Sequence, residues 1–100
     1  MDDTKIWVFP KNINIEEVSE YVERLKNITT SEVVTFDLSK TVNIHSSFIG
    51  FLIHAKHHIS KNGGRLVLLL SLTVEKILIM LNIFEYFSPE IETSINKKTA

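Results

Sequence analysis

Apolar residues along this chain recur with two different periods, and the switches between them mark the elements. Ile6, Trp7, Val8 and Phe9 form a short β-prone run, which Pro10 ends because it lacks a backbone donor. From Asn12 or Asn14 the spacing changes. Ile15, Val18, Val22, Leu25 and Ile28 recur at three- and four-residue steps, with Glu16, Glu17, Glu20, Glu23 and Arg24 between them. That pattern predicts an amphipathic helix whose acidic first turn complements the positive end of the helix dipole. The glutamates read as its solvated face.

A second strand is predicted over Val33 to Leu38. It is continuously apolar enough to be covered on both faces. Asp37, Ser39, Lys40 and Asn43 interrupt the apolar pattern and make a polar connection. Ser46 and Ser47 then precede Phe48, Ile49, Phe51, Leu52, Ala55 and Ile59, which recur at helical spacing. The helix runs from about Ser47 to Lys61, with a serine as its cap. Asn62-Gly63-Gly64 stops it, since a glycine adopts the left-handed conformation without a Cβ penalty.

Arg65 to Leu70 is a third strand, apolar on both faces and so central in its sheet. Thr73 caps a third helix, with Val74, Ile77, Leu78 and Leu81 as its buried stripe and Asn82 as its stop. Ile83, Phe84, Tyr86 and Phe87 extend the apolar run into a loop that Pro89 breaks. Ile91 to Ile95 reads as a short edge strand, and residues from about 96 onward as a polar tail. Strands alternating with helices predict an α/β layer fold with a mainly parallel sheet and right-handed crossovers.

Composition narrows the function more than the fold. The 100 residues read as one domain, and 44% of them are hydrophobic, enough for one core. A net charge of -1 provides no field for nucleic acid or an anionic membrane. No long uncharged run and no signal-peptide pattern occur, so a cytoplasmic protein without membrane insertion is expected. With no cysteine, disulfide and thiol chemistry are excluded.

Candidate chemistry collects around the second helix. Its N-terminus suits an anion, so Ser46 is either a cap or a place where a phosphate is tolerated. His54 and His58 are four residues apart, with His57 between them, which is ligand-like spacing. No acid lies among residues 45–61 to complete a metal site, so the group reads as a polar or mildly basic helix face. His45 beside Ser46 is not a nucleophile–base pair at that spacing. No GxSxG elbow, GxxxxGK[ST] or GxGxxG is present. Neither an enzyme nor a cofactor is expected. Ile79, Met80, Ile83, Phe84, Tyr86 and Phe87 read mostly as core, with a protein-binding or homodimer surface as the alternative.

Residues 33–87 resemble the STAS domain. The family's central pattern is a strand ending in Asp-Leu-Ser, a short loop, then Asp-Ser-Ser-Gly-Leu-Gly opening a helix. This chain has Asp37-Leu38-Ser39, then His45-Ser46-Ser47-Phe48-Ile49-Gly50. Gly63-Gly64-Arg65-Leu66 resembles the Gly-Gly-x-Leu entry to the next strand, and Val74 to Ile83 resembles the third helix. His45 and Phe48 depart from the family's Asp and Gly. The N-terminal region is also short for the family's strand hairpin, with Phe9-Pro10-Lys11-Asn12 where a Gly-x-Leu-Asp motif would stand.

The resemblance implies a STAS-like (SpoIIAA-like) layered α/β fold, with a central, mostly parallel mixed sheet of about four strands and helices packed on it. It implies an anti-sigma factor antagonist, a binding switch in transcription regulation. The partner is an anti-sigma factor that is also a serine kinase of the histidine-kinase-like ATPase type, and Ser46 is the phosphorylated position. Ser39, His45, Ser46, Ser47, Phe48 and Ile49 would lie nearest the partner, with Asp37 supporting the loop. The alternative is a STAS-like scaffold or subunit of a signalling or transport complex that is never phosphorylated. A His-dependent metal protein is the third reading.

Overall fold

The computed structural model describes residues 4–28 and 31–92. In chain order these form β1 (Thr4–Val8), β2 (Asn12–Ile13), α1 (Ile15–Leu25), β3 (Val33–Leu38), β4 (Asn43–Ile44), α2 (Ser46–Lys61), β5 (Arg65–Leu70), α3 (Leu72–Met80), α4 (Phe84–Phe87), a 3-10 turn (Ser88–Glu90) and β6 (Ile91–Glu92). The main sheet has the order β1-β3-β5-β6, and each neighbouring pair is parallel. β2 and β4 form a separate two-stranded parallel pair. The predicted edge strand near the C-terminus is present as Ile91–Glu92, and its continuation to Ile95 lies outside the described residues, as do the tail and residues 1–3.

Register explains how the sheet divides its side chains. Trp7, Phe36 and Leu68 occupy one row, and Ile6, Thr35 and Val67 the row beside it. Successive strand residues point to opposite faces, so the two rows face opposite ways. The first row joins a single core with Leu25 of α1, Phe51, Leu52 and Ile59 of α2, Leu78 of α3 and Phe87 of α4. The second row contributes nothing to that core, and Ile6 and Val8 are exposed. β3 therefore alternates between buried and half-buried residues and is not covered equally on both faces.

Helix ends obey local chemistry. α1 starts on Asn14, whose side chain accepts from Glu17 N, while Glu17 Oε1 accepts from Asn14 N, both at 3.0 Å. This reciprocal pair satisfies two donors that the helix cannot. α2 ends in a left-handed Gly63 (φ 83), with Gly64 N donating to Ile59 O at 2.9 Å and Gly63 N to Ser60 O at 3.0 Å. A Cβ on Gly64 would stand 2.5 Å from Glu32 O, so the entry to β5 requires glycine as well.

α3 closes the same way, on Asn82 at φ 61. It does not open on Thr73. Ser71 Oγ accepts from Val74 N at 3.0 Å, so the helix begins earlier than expected and leaves Leu72 exposed. Its buried stripe is narrower too: Val74 and Leu78 are fully buried, Ile77 is half-buried and Leu81 is exposed. Ile15, the first residue of α1, is likewise exposed. The segment expected as a loop over Ile83 to Phe87 contains the short helix α4, which buries Phe87 and leaves Tyr86 exposed.

Candidate functional site

The site is the connection from β3 to α2 together with the first turn of α2. Asp37, near the end of β3, organises the start of this connection. Its Oδ1 accepts from Ser39 N at 3.0 Å and from the Ser39 hydroxyl at 2.6 Å. A short acidic side chain bonding the backbone two residues on makes an Asx turn, and this holds the exposed Ser39 and Lys40 at the tip.

Thr41 then anchors the connection. It is the only buried polar residue among the described ones. Its hydroxyl donates to Pro10 O at 2.8 Å, its N–H donates to Leu38 O at 3.1 Å, and its carbonyl accepts from Ser71 Oγ at 2.6 Å. Ser71 is also the cap of α3, so one buried threonine ties the β1–β2 link, the site loop and the α3 start together. Asn43 extends the tie, with its Nδ2 donating to Asn12 Oδ1 at 2.6 Å beside the β2–β4 pair. Thr41, Asn12 and Ser71 are not among the expected site residues. A signal for Ser71 does exist: it directly succeeds the apolar strand and stands three residues before Val74.

The cap of α2 is His45, which corrects the expectation of a serine cap. His45 Nδ1 accepts from Ser47 N at 3.0 Å and lies 2.8 Å from Ser47 Oγ. A backbone N–H can only donate, so Nδ1 carries no proton in this geometry and the Ser47 hydroxyl donates to it. His45 N donates to Ile13 O at 3.0 Å, which fixes the cap against β2. Ser46 becomes the first helical residue. It is exposed, and its hydroxyl makes no hydrogen bond among the described residues.

Phe48, expected nearest the partner, turns its ring inward from the first turn of α2. It is fully buried, in edge contact with Phe9 (5.4 Å between ring centroids) and beside Phe51 (5.6 Å) and Tyr21 (6.3 Å). The third position of a helix whose first turn leans on the core points inward, and a ring there seats the turn on the sheet. Ile49 is half-buried. The structure therefore presents Ser39, His45 and Ser46 outward, with Ser47 partly covered. It joins Asp37 to Ser39 and His45 to Ser47, with no hydrogen bond between the two pairs among the described residues.

Electrostatically the site is open. The first turn of α2 carries no acid, whereas that of α1 carries Glu16 and Glu17. Tyr21 lies on the α1 side of Phe48. Burial pushes its hydroxyl above the ordinary tyrosine range, and the Glu17 carboxylate adds to the effect. The other histidines are apart from the site. His58 Nε2 donates to Ile28 O at 2.7 Å, while His54 and His57 are exposed. No group of three or more His, Cys, Asp or Glu residues that could hold a metal stands together among the described residues.

No protein-family model matches the chain, and no curated protein matches it either. Among solved structures it is similar to a sulfate transporter family protein from Wolinella succinogenes, with a TM-score of 0.77 at 14% sequence identity. The match covers 89% of this chain and 75% of that one. At that identity the likeness is one of fold: a small α/β domain with a four-stranded parallel sheet and packed helices, consistent with a STAS-like fold.

Proposed function

We propose that this chain is a non-enzymatic, STAS-like protein-binding domain that acts in the cytoplasm as a subunit of a larger signalling or transport assembly. It docks through the loop over residues 39–45 and the first turn of α2. The observation that carries this reading is the build of that surface. A buried threonine and an imidazole cap hold exposed polar groups in fixed positions, as a recognition surface needs. The likeness in fold to a sulfate transporter family protein adds a transport assembly to the candidates.

A second reading, an anti-sigma factor antagonist switched at Ser46, is favoured by one observation. The Ser46 hydroxyl is exposed and has no hydrogen bond among the described residues, at the positive end of a 16-residue helix. Phosphate there would gain the helix N-terminus and add nearly two negative charges to a turn that carries no acid.

One experiment separates the two readings. The chain is incubated with ATP and a serine kinase of the histidine-kinase-like ATPase type, and intact mass is compared for wild type and Ser46→Ala. In parallel, the size of the native assembly is measured with Ser46→Ala and Ser46→Asp. No mass gain with an active kinase, and an assembly unchanged by both substitutions, is the expected result. One added phosphate that Ser46→Ala abolishes, with the assembly lost in Ser46→Asp, would replace the subunit reading with the switch.

A further inference from the structure

The helix starts that follow β2 and β4 differ in how they meet a proton. The Asn14 cap of α1 is an amide, which takes up no proton near neutrality. The cap of α2 is an imidazole. His45 Nδ1 accepts from both Ser47 donors, the N–H at 3.0 Å and the hydroxyl at 2.8 Å. The neutral ring therefore carries its proton on Nε2. An imidazolium carries a proton on each nitrogen and accepts nothing.

A proton at Nδ1 thus ends the cap. The Ser47 hydroxyl can rotate to accept from the new N–H, but the backbone N–H cannot, and a donor is left facing a donor. The added charge also stands at the positive end of the helix dipole. What lies beneath the turn is unaffected. Phe48 is fully buried, and Phe48 N donates to His45 O at 2.8 Å whatever the charge on the ring. Thr41, tied to Pro10 O and Ser71, still holds the connection. The loss is confined to the outer side of the first turn.

No carboxylate is paired with the ring to offset the charge. The charged groups of the neighbouring segments are Lys11 before β2, Glu16 and Glu17 in the first turn of α1, and Asp37 and Lys40 around the connection. None is in an ion pair with His45 among the described residues. Glu17 is engaged by Asn14 N, and Asp37 by Ser39. Tyr21, near Phe48, ionises only in the alkaline range.

We propose that proton uptake by His45 releases the outer side of the first turn of α2, so that the docking surface is ordered at neutral pH and loosened in acid. The cap contributes while the ring is neutral, and its contribution is lost as pH falls through the range in which histidine takes up a proton. The consequence for docking rests on the reading of this turn as the docking surface. The release itself is a property of the single chain.

Amide hydrogen exchange of the full chain, read residue by residue by NMR, tests the release. Ser47 N and Glu17 N are each held by a side-chain cap, so the ratio of their rates cancels the common pH dependence of exchange. That ratio should rise at least about fivefold between about pH 7.5 and about pH 5.5, the size of losing one cap. Helix α2 carries three more histidines, His54, His57 and His58, so His45→Asn assigns the effect. An amide oxygen accepts from Ser47 N without taking up a proton, and the ratio in this variant should stay flat. A flat ratio in wild type overturns the proposal, as does an equal rise in His45→Asn. The size of the native assembly at the same two pH values separates the release from its consequence. A ratio that rises while the assembly stays intact keeps the release and removes this turn as the docking surface.

Discussion

Helix α1 begins on Asn14 and helix α2 on His45, and the two starts divide the same task differently. At α1 the cap and Glu17 satisfy each other's backbone donors, while the first helical residue, Ile15, is exposed. At α2 the imidazole satisfies Ser47 N with no acid answering it, and the third residue, Phe48, is fully buried. The start of α1 is thus held by polar reciprocity, and that of α2 mainly by an aromatic anchor. With the anchor beneath, the outer side of the turn carries no acid, and the Ser46 hydroxyl has no hydrogen bond among the described residues. A capping box there would have occupied the first turn with a carboxylate.

The largest expected effect tests the anchor. Phe48→Ala should cost about 3–5 kcal/mol of unfolding free energy, because it removes a full ring from among Phe9, Tyr21 and Phe51. Ile15→Ala should cost within about 0.5 kcal/mol, as surface changes do. Urea unfolding followed by circular dichroism reads both. A Phe48→Ala cost as small as that of Ile15→Ala would break the contrast between the two starts.

The caps come next. Asn14→Ala should destabilise by about 1 kcal/mol and His45→Ala by about the same or less, the ordinary range for losing a side-chain cap. His45→Asn should restore most of the loss, since an amide oxygen can accept from Ser47 N as the imidazole does. If His45→Asn proves no better than His45→Ala, the imidazole contributes something other than capping.

The two central strands are legible in the sequence because their apolar runs are short and bounded, whereas the two-residue strands β2 and β4 are too short to show a period. Val33 to Leu38 and Arg65 to Leu70 appear with the expected bounds. The alternation of strand and helix is enough to predict a parallel sheet. Direction is harder to read. Phe48 departs from the expected small residue and invites an outward reading, yet its third position in α2 turns it to the core. The cap escapes because serine is the commoner capping residue, while the bond that decides the matter belongs to His45. Thr41 is invisible in the pattern. A lone threonine in a polar connection gives no periodic signal, and its role depends on Pro10 and Ser71, each about thirty residues away. Ile15, Leu72 and Leu81 keep helical spacing but fall where no second layer covers them.

Tyr21 carries the smallest of these effects, and it touches both helix starts. Its ring packs edge-on against Phe9 at 4.8 Å and lies near Phe48, while its hydroxyl is raised above the ordinary range first by burial and then by Glu17, the acid of the α1 capping box. A raised folded-state pKa fixes the sign of the linkage. The neutral hydroxyl's contribution to stability is fully present below the unfolded tyrosine value of 10.0 and is lost as pH rises through the folded value. Stability should therefore fall in the alkaline range above about pH 10, and Tyr21→Phe should remove part of that fall while changing little near neutrality. Ultraviolet absorbance titration of the folded chain, with Tyr21→Phe to assign the signal, reads the ionisation directly. Glu17→Gln should bring the Tyr21 titration down, but by less than burial raises it. An ionisation of Tyr21 at or below the ordinary tyrosine value would show that Phe9 and Phe48 do not keep water from that hydroxyl, and the aromatic anchor under α2 would then be looser than its buried ring implies.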